Sequence, residues 1–374
     1  MNLQIKRLRA KSRVLVAMSG GVDSSVAAAL LKKAGYQVTG VFMRLWQDKK
    51  EKLPSAAEKR ARKIANFLKI PFLAVDFQKE FKKKIVNRFI KEYQAGRTPN
   101  PCVFCNEEIK FGLLVEKARE MGIEYVATGH YARLEQSQKS KVKSQNEKSK
   151  VKNFRLLQGK DKDKDQVYFL WRLKQEQLRR IIFPVGNYTK KEVRQMAEKF
   201  KLPFHSGKDT GKVKESQEIC FVNDINQFLS RFLKPKPGKI VDATGKILGQ
   251  HQGLVFYTVG QRKGIGLAGG PYFVVNKDTR NNCLMVSKNE RDLYQKELIA
   301  AEINWIAEKE PKLPCRIKAK IRYRQEAVPA TLSLTKNKWE CWVAFARPQR
   351  AIAAGQSVVF YKGSELLGGA VIRK

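Results

Sequence analysis

The stretch Ser19-Gly20-Gly21-Val22-Asp23-Ser24-Ser25 lies between two runs of different character. Before it, Val14-Leu15-Val16-Ala17-Met18 is a short apolar run that predicts a buried parallel strand. After it, Val26 to Ala34 is a strong helix-forming run stopped by Gly35. Strand, glycine loop and helix together suit an anion. The glycines admit backbone conformations and close approaches that a Cβ would block, and the N–H groups and dipole of the helix start attract negative charge. Ser19, Ser24 and Ser25 supply hydroxyls for phosphate oxygens, and Asp23 is a candidate for holding magnesium. A Walker motif is absent, because no Lys-Ser or Lys-Thr follows the glycines. A tight strand-to-helix turn without a ligand is the plainer alternative.

At 374 residues, the chain has room for two or three domains with substantial cores, and 43% hydrophobic content marks it as mostly globular. Lysine and arginine number 75 against 35 acidic residues, a formal +40, which points to polyanions and first to nucleic acid. A basic, solvated surface is the alternative. Six irregularly spaced cysteines suggest reduced thiols, not a disulfide scaffold. No apolar run reaches the length of a membrane span, and Met1 to Arg13 lacks the apolar core of a secretory signal. The expected location is cytoplasmic, although a short organellar presequence is compatible with this start.

Up to about residue 200, predicted strands and helices alternate. Strands are expected over 37–46, 71–77 and 123–128, and helices over 55–69, 79–95 and from about Asn106. This order implies an α/β fold: a parallel, Rossmann-like sheet covered on both faces, with ligands at the strand C-terminal ends. Between Gln136 and Asn153, Lys-Ser-Lys-Val-Lys occurs twice in a basic low-complexity insertion, which reads as a tolerated loop expansion or a nonspecific RNA contact. Thr189-Lys190-Lys191-Glu192 predicts a capping box for a helix through Phe200. Beyond about residue 235, short alternating runs predict two small β-rich, barrel-like domains, with strands at 253–257, 271–275, 283–286, 315–323, 330–334, 339–345 and 357–361. Lys288 to Glu302 reads as the boundary between them. The expected divisions are 1–222, 223–290 and 291–374. Arg316, Lys318, Lys320, Arg322, Tyr323 and Arg324 suit an RNA platform, or simply one exposed strand face.

Cys102 and Cys105 form a Cys-x-x-Cys within Pro99-Asn100-Pro101-Cys102-Val103-Phe104-Cys105-Asn106. Zinc would need two further ligands at matching spacing. The remaining cysteines form no second pair, and His130, His205 and His251 are scattered, so no metal ligands are assigned. A reactive thiol is the alternative: if a helix starts at Asn106, its dipole favours a Cys105 thiolate. Cys220 stands among Ile219 and Phe221, where a lone cysteine is usually inert core, and spacing alone does not pair it with Cys105.

The combination SGGVDSS, TPNPCVFCN, TGHYAR, KDQVYFL, SQEICFV, HQGL and GQRKG, in this order, resembles the bacterial tRNA-specific 2-thiouridylase (MnmA/TrmU) family of PP-loop ATP pyrophosphatases. It covers essentially the whole chain apart from the insertion. The resemblance implies ATP-dependent conversion of the tRNA wobble uridine to 2-thiouridine, with AMP and pyrophosphate released. Ala17, Met18, Ser19, Gly20, Gly21, Val22, Asp23 and Ser24 match the family's ATP loop, and Met43 and Gly129 its adenosine contacts. Cys105 matches the nucleophile and Cys220 the persulfide carrier, so a Cys105–Cys220 disulfide is implied within the cycle. Asn100, Pro101 and Cys102 match the segment beside the target base; His130, Lys164, Asp165, Gln166, Arg322, Tyr323 and Gln356 match tRNA contacts. ATP, Mg2+, the tRNAs for Lys, Glu and Gln, and a persulfide donor (a cysteine desulfurase or relay protein) follow from the same resemblance.

The chemistry is coherent. Attack of the uracil O2 on the α-phosphate makes an O-adenylate and turns a poor leaving group into AMP. Sulfur from the Cys220 persulfide then adds at C2, and the second thiol completes its release as a disulfide that a reductant resets. Two departures stand out. Some relatives carry Asp where this chain has Cys102, which is left without a proton-transfer role, and Glu215-Ser216-Gln217-Glu218 replaces the commoner Asp-Ser-Thr-Gly. The rival readings are a PP-loop amidotransferase or other tRNA-adenylating enzyme, which would not need both cysteines, and a non-catalytic RNA-binding protein, indifferent to Asp23.

Overall fold

A computed structural model describes residues 11–46, 54–137, 153–203, 219–336 and 339–373. The first strand, Arg13–Ala17, has Val14, Leu15 and Val16 fully buried because the sheet is covered on both faces. It is central in a five-stranded parallel sheet ordered Phe72–Asp76, Gln37–Arg44, Arg13–Ala17, Tyr125–Ala127, Ile181–Ile182. The chain progresses outward in one direction from the first strand through the second and third, then returns to its other side with Tyr125–Ala127. The crevice at this reversal is where open α/β sheets bind ligands. The loops after Arg13–Ala17 and after Tyr125–Ala127 both open there.

Local chemistry sets the helix ends. The helix Val22–Lys33 ends before Gly35, whose φ of 84° suits a left-handed stop. Ser55 caps Ala56–Phe67 by accepting the Glu58 N–H at 3.2 Å. Thr189 and Glu192 close the expected capping box on Lys190–Lys199, with bonds of 3.2 and 2.6 Å. The helix expected from Lys79 runs as Gln78–Phe81, a π segment Lys82–Val86, and Asn87–Gln94. Its buried Phe81 and Phe89 meet Phe221 edge-on at 5.4 and 5.3 Å, which anchors the chain beside Cys220.

One helix start differs from the expectation. The cysteine helix begins at Pro101, not Asn106, with Asn100 as its cap. Pro101 occupies the first helical position, where a missing N–H costs nothing. The helix continues as a π segment, Cys105–Leu113, and then Leu114–Glu120.

Strands Ala132–Gln136 and Phe154–Gln158 form an antiparallel hairpin around the basic insertion, of which residues 138–152 lie outside the described residues. The hairpin extends the sheet of the C-terminal barrel, through Glu365 opposite Leu157 and Leu366 opposite Leu156. That antiparallel barrel is built from Tyr294–Trp305, Glu340–Arg350, Val328–Leu334, Cys315–Lys320, Ser357–Lys362 and Glu365–Ile372, and pairing of Tyr294–Trp305 with Glu365–Ile372 closes it. The supposed boundary at 288–302 therefore contains most of a barrel strand. Between the two lies a four-stranded sheet, ordered Phe273–Asp278, Cys283–Ser287, Gly238–Val241, Ile247–His251, over its own core of Ile240, Val274, Leu284 and Val286. The strand expected at 253–257 is instead a short 3-10 turn, Leu254–Phe256.

Candidate active site

The phosphate loop follows the expected path. Gly20 has φ 75°, and Gly21 caps the helix without a side-chain acceptor, leaving first-turn N–H groups for an anion. The serines brace the loop. Ser19 N–H donates to Ser24 Oγ at 3.2 Å, while the Ser24 and Ser25 hydroxyls donate to the Gly21 carbonyl at 3.1 and 2.8 Å. Ala17 ends the buried first strand, Met18 follows it, and Met43 lies near the end of the next strand, opposite Val75. Gly129 touches the same loop: a Cβ there would come within 2.7 Å of the Ser24 nitrogen and 2.8 Å of the Asp23 carbonyl carbon. The loop and Gly129 thus meet at the sheet's reversal point, with Met43 on the adjoining strand.

Asp23 is engaged already. Lys190 Nζ donates to both of its carboxylate oxygens at 2.7 Å, and Tyr131 Oη–H donates to Oδ1 at 2.8 Å. Burial, then the Asp23 charge, drive the Tyr131 phenol well above its usual range. This carboxylate fits an ion pair with Lys190 better than a metal ion. Neither Lys190 nor Tyr131 was singled out in the sequence; the pairing spans 167 residues and has no local signature.

The next residue after Gly129 leads toward the thiols. His130 is buried, shares a 2.8 Å hydrogen bond between Nδ1 and Thr128 Oγ1, and contacts the Phe111 ring at 5.7 Å. Burial, reinforced by Lys110, holds its pKa well below the ordinary value, so the ring is neutral. Cys105 lies one turn inside its helix and is only 6% exposed. Its expected thiolate character is not found: burial pushes its thiol up to about 12. Cys102, near the actual helix start, is pushed up to about 11 for the same reason. Cys220 is exposed, yet crowding by neighbouring atoms still raises its thiol. Its charge acts on both Cys102 and Cys105, so the fold gathers three thiols that sequence spacing left apart. The 215–218 lead-in lies outside the described residues.

The other expected contacts divide by burial. Asp165 is buried and accepts from Gly159 N–H at 2.9 Å and Gln158 Nε2 at 3.3 Å; burial raises its pKa. Gln166 Oε1 accepts the Tyr131 N–H at 3.1 Å, which steadies the residue above Asp23. Lys164 and Asn100 are half-buried and buried respectively, and Asn100 hydrogen-bonds Tyr168. Pro101 is buried as the first residue of its helix. Gln356 Nε2 donates to the carbonyls of Thr98 and Pro99 at 2.9 and 3.2 Å. Arg322 donates to the Ala351 carbonyl at 2.7 Å, and the Tyr323 ring meets that of Phe169 at a 41° tilt, centroids 4.6 Å apart. Arg316 and Lys318 are exposed on the barrel's outer face.

Known proteins resemble this chain in sequence from end to end. The family described as "tRNA methyl transferase HUP domain" matches residues 12–224, "tRNA methyl transferase PRC-barrel domain" residues 226–288, and "Aminomethyltransferase beta-barrel domain" residues 295–372. The tRNA-specific 2-thiouridylase MnmA 2 of Thermoanaerobacter sp. (strain X514) is 44% identical over 376 residues, covering 97% of this chain and 98% of the relative. The chain belongs to the tRNA-specific 2-thiouridylase family. Other members include MnmA 1 of Caldanaerobacter subterraneus subsp. tengcongensis, 45% identical over 98% of this chain and 99% of its own, and MnmA of Carboxydothermus hydrogenoformans, 43% identical over 97% and 98%. The domain descriptions speak of methyl transfer and the thiouridylase names of sulfur. Three thiols drawn together by the fold fit the latter.

Proposed function

We propose that this chain thiolates the wobble uridine of tRNA at C2, consuming ATP and a persulfide. The observation that supports this reading best is the line of contact from the phosphate loop through Gly129 and His130 to Phe111, on the helix that carries Cys102 and Cys105. ATP lies with its phosphates over Ser19 to Ser24, and O2 of the flipped uridine attacks the α-phosphate, releasing pyrophosphate. Cys220, the exposed thiol, accepts sulfur from a donor outside the protein. Its outer sulfur adds at C2 and AMP leaves with the O2 oxygen. Cys105 then gives up its proton and attacks the inner Cys220 sulfur. The S–S bond of the adduct breaks, a Cys105–Cys220 disulfide forms, and the thiocarbonyl stays on the base. An external thiol returns the two electrons. Release of sulfide by earlier attack of Cys105 on the persulfide reaches the same products.

The substrates that fit are the tRNAs for Lys, Glu and Gln in the cytoplasm, with a cysteine desulfurase or sulfur-relay protein as donor. Residues 1–222 would carry adenylation and sulfur transfer, 223–290 the central β-rich unit, and 291–374 a barrel that binds tRNA. The net charge of +40 favours that polyanion. The test is thiolation of unmodified tRNA-Glu with ATP and a persulfide donor, comparing wild type with Cys220→Ser. Product from wild type alone is expected. Product from both removes the Cys220 role; pyrophosphate without thiolated nucleoside keeps adenylation and overturns the sulfur chemistry.

A further inference from the structure

Among the described residues one cation, Lys110, acts on all three thiols. It lies five residues beyond Cys105 on the same helix. An α-helix turns about 100° per residue, so five residues would carry Lys110 roughly 140° away from the Cys105 face. The segment Cys105–Leu113 is π-helical instead. Its bonds close between residues five apart, which brings Lys110 back toward the face that carries Cys105.

The surroundings are built to hold that register. Gln177 Nε2 donates to the carbonyls of Glu107 and Phe111, both at 2.9 Å, and Asn106 Nδ2 donates to the Phe169 carbonyl at 3.2 Å. Gly112 has no Cβ, and one would lie 2.9 Å from the Glu107 carbonyl oxygen. Among the described residues Lys110 makes no ion pair, whereas the nearby Glu108 is paired at 3.2 Å with Lys84. The Lys110 charge acts on Cys102, Cys105 and Cys220, and on the neutral His130. At all three thiols it opposes the upward push of burial; Glu108 and the neighbouring thiols oppose it at Cys105.

We propose that Lys110 is the positioning cation of sulfur transfer, held over the thiols by the π register so that thiolate and persulfide anions form beside the adenylated base. The proposal rests on the thiouridylase reading for its purpose but not for its test. Among the described residues Lys110 is the cation whose charge reaches all three thiols, and Glu108, the carboxylate that acts on Cys105, is already partnered by Lys84.

The experiment is site-resolved alkylation of the full-length protein by iodoacetamide across pH 6 to 10, read by mass spectrometry at Cys220, without tRNA, ATP or donor. Removing one neighbouring charge moves a thiol by about one pH unit, equivalent to tenfold in thiolate at neutral pH. With Lys110→Met the Cys220 profile is expected to shift upward in pH by that order, and with Lys110→Arg to stay near wild type. If Lys110→Met exposes the buried Cys341 to reagent, its fold is lost and Lys110→Gln carries the comparison. An unshifted profile in a folded neutral variant, or an Arg variant as shifted as the Met variant, overturns the proposal. Because alkylation needs no substrate, either result stands apart from whether tRNA is thiolated.

Discussion

At the scale of single residues, the site departs most from its motif at Asp23. The motif suggests a carboxylate free for metal, but Lys190 and Tyr131 hold it with three hydrogen bonds. Lys190 therefore sets a positive charge at the edge of a phosphate loop that has no Walker lysine of its own. Hydrogen bonds to charged groups contribute about 1.5–3 kcal/mol. Lys190→Met is expected to slow ATP-dependent pyrophosphate release by roughly tenfold to a hundredfold, while tRNA affinity in a gel-shift assay stays within about twofold. Loss of tRNA binding with intact pyrophosphate release would place Lys190 in RNA recognition instead. The cysteines teach a related lesson. Their types and order were legible from the motifs, but not their protonation. The dipole argument for Cys105 assumed a helix start at Asn106, whereas Pro101 starts the helix and buries Cys105 in its second turn.

At the scale of elements, what the sequence carried follows from whether a period identifies a state. The buried first strand, the capped helices and the glycine stop were legible because period, caps and stop agreed. The strand Tyr294–Trp305 was not, because its first four residues are all exposed and hide the alternation that begins at Leu298. The π segment at Cys105–Leu113 was not legible either, since hydrophobic spacing of 3 and 4 reads as α-helix and the register is fixed by partners far away. Gln177 is the chief of these. Gln177→Leu removes both donors and is expected to cost about 1–3 kcal/mol in a urea titration. It should also reproduce part of the Lys110→Met shift in Cys220 alkylation, because the segment can then relax toward α and carry Lys110 away. Stability lost with an unchanged profile would mean that the π register persists without Gln177.

At the scale of the whole molecule, the barrel completes the site and is more than an appended RNA grip. A hairpin from the first 160 residues joins the barrel sheet, and the barrel's 351–356 loop returns to the cysteine loop, where the Thr98 N–H donates to the Ala354 carbonyl at 2.8 Å. Gly355 lets this contact close: a Cβ would come within 3.0 Å of the Thr98 carbonyl oxygen. Gln356 is the side chain in this joint, and two roles for it make opposite predictions. As a tRNA contact, its loss weakens binding and leaves turnover at saturating tRNA intact. As the clamp on Thr98 and Pro99, its loss leaves binding intact and loosens the segment that presents Asn100, Cys102 and Cys105 to the base. Misplacing a reactive group by about 1 Å can cost on the order of a hundredfold in rate. With both bonds at 2.9 and 3.2 Å made inside the protein, the clamp is the favoured role. Gln356→Ala should therefore lower kcat for thiolation by about tenfold or more, with the Kd for tRNA within about twofold and pyrophosphate release less affected than sulfur transfer. A Kd raised more than about fivefold with kcat preserved would return Gln356 to the RNA surface and leave the Thr98 backbone bond alone to join barrel and cysteine loop.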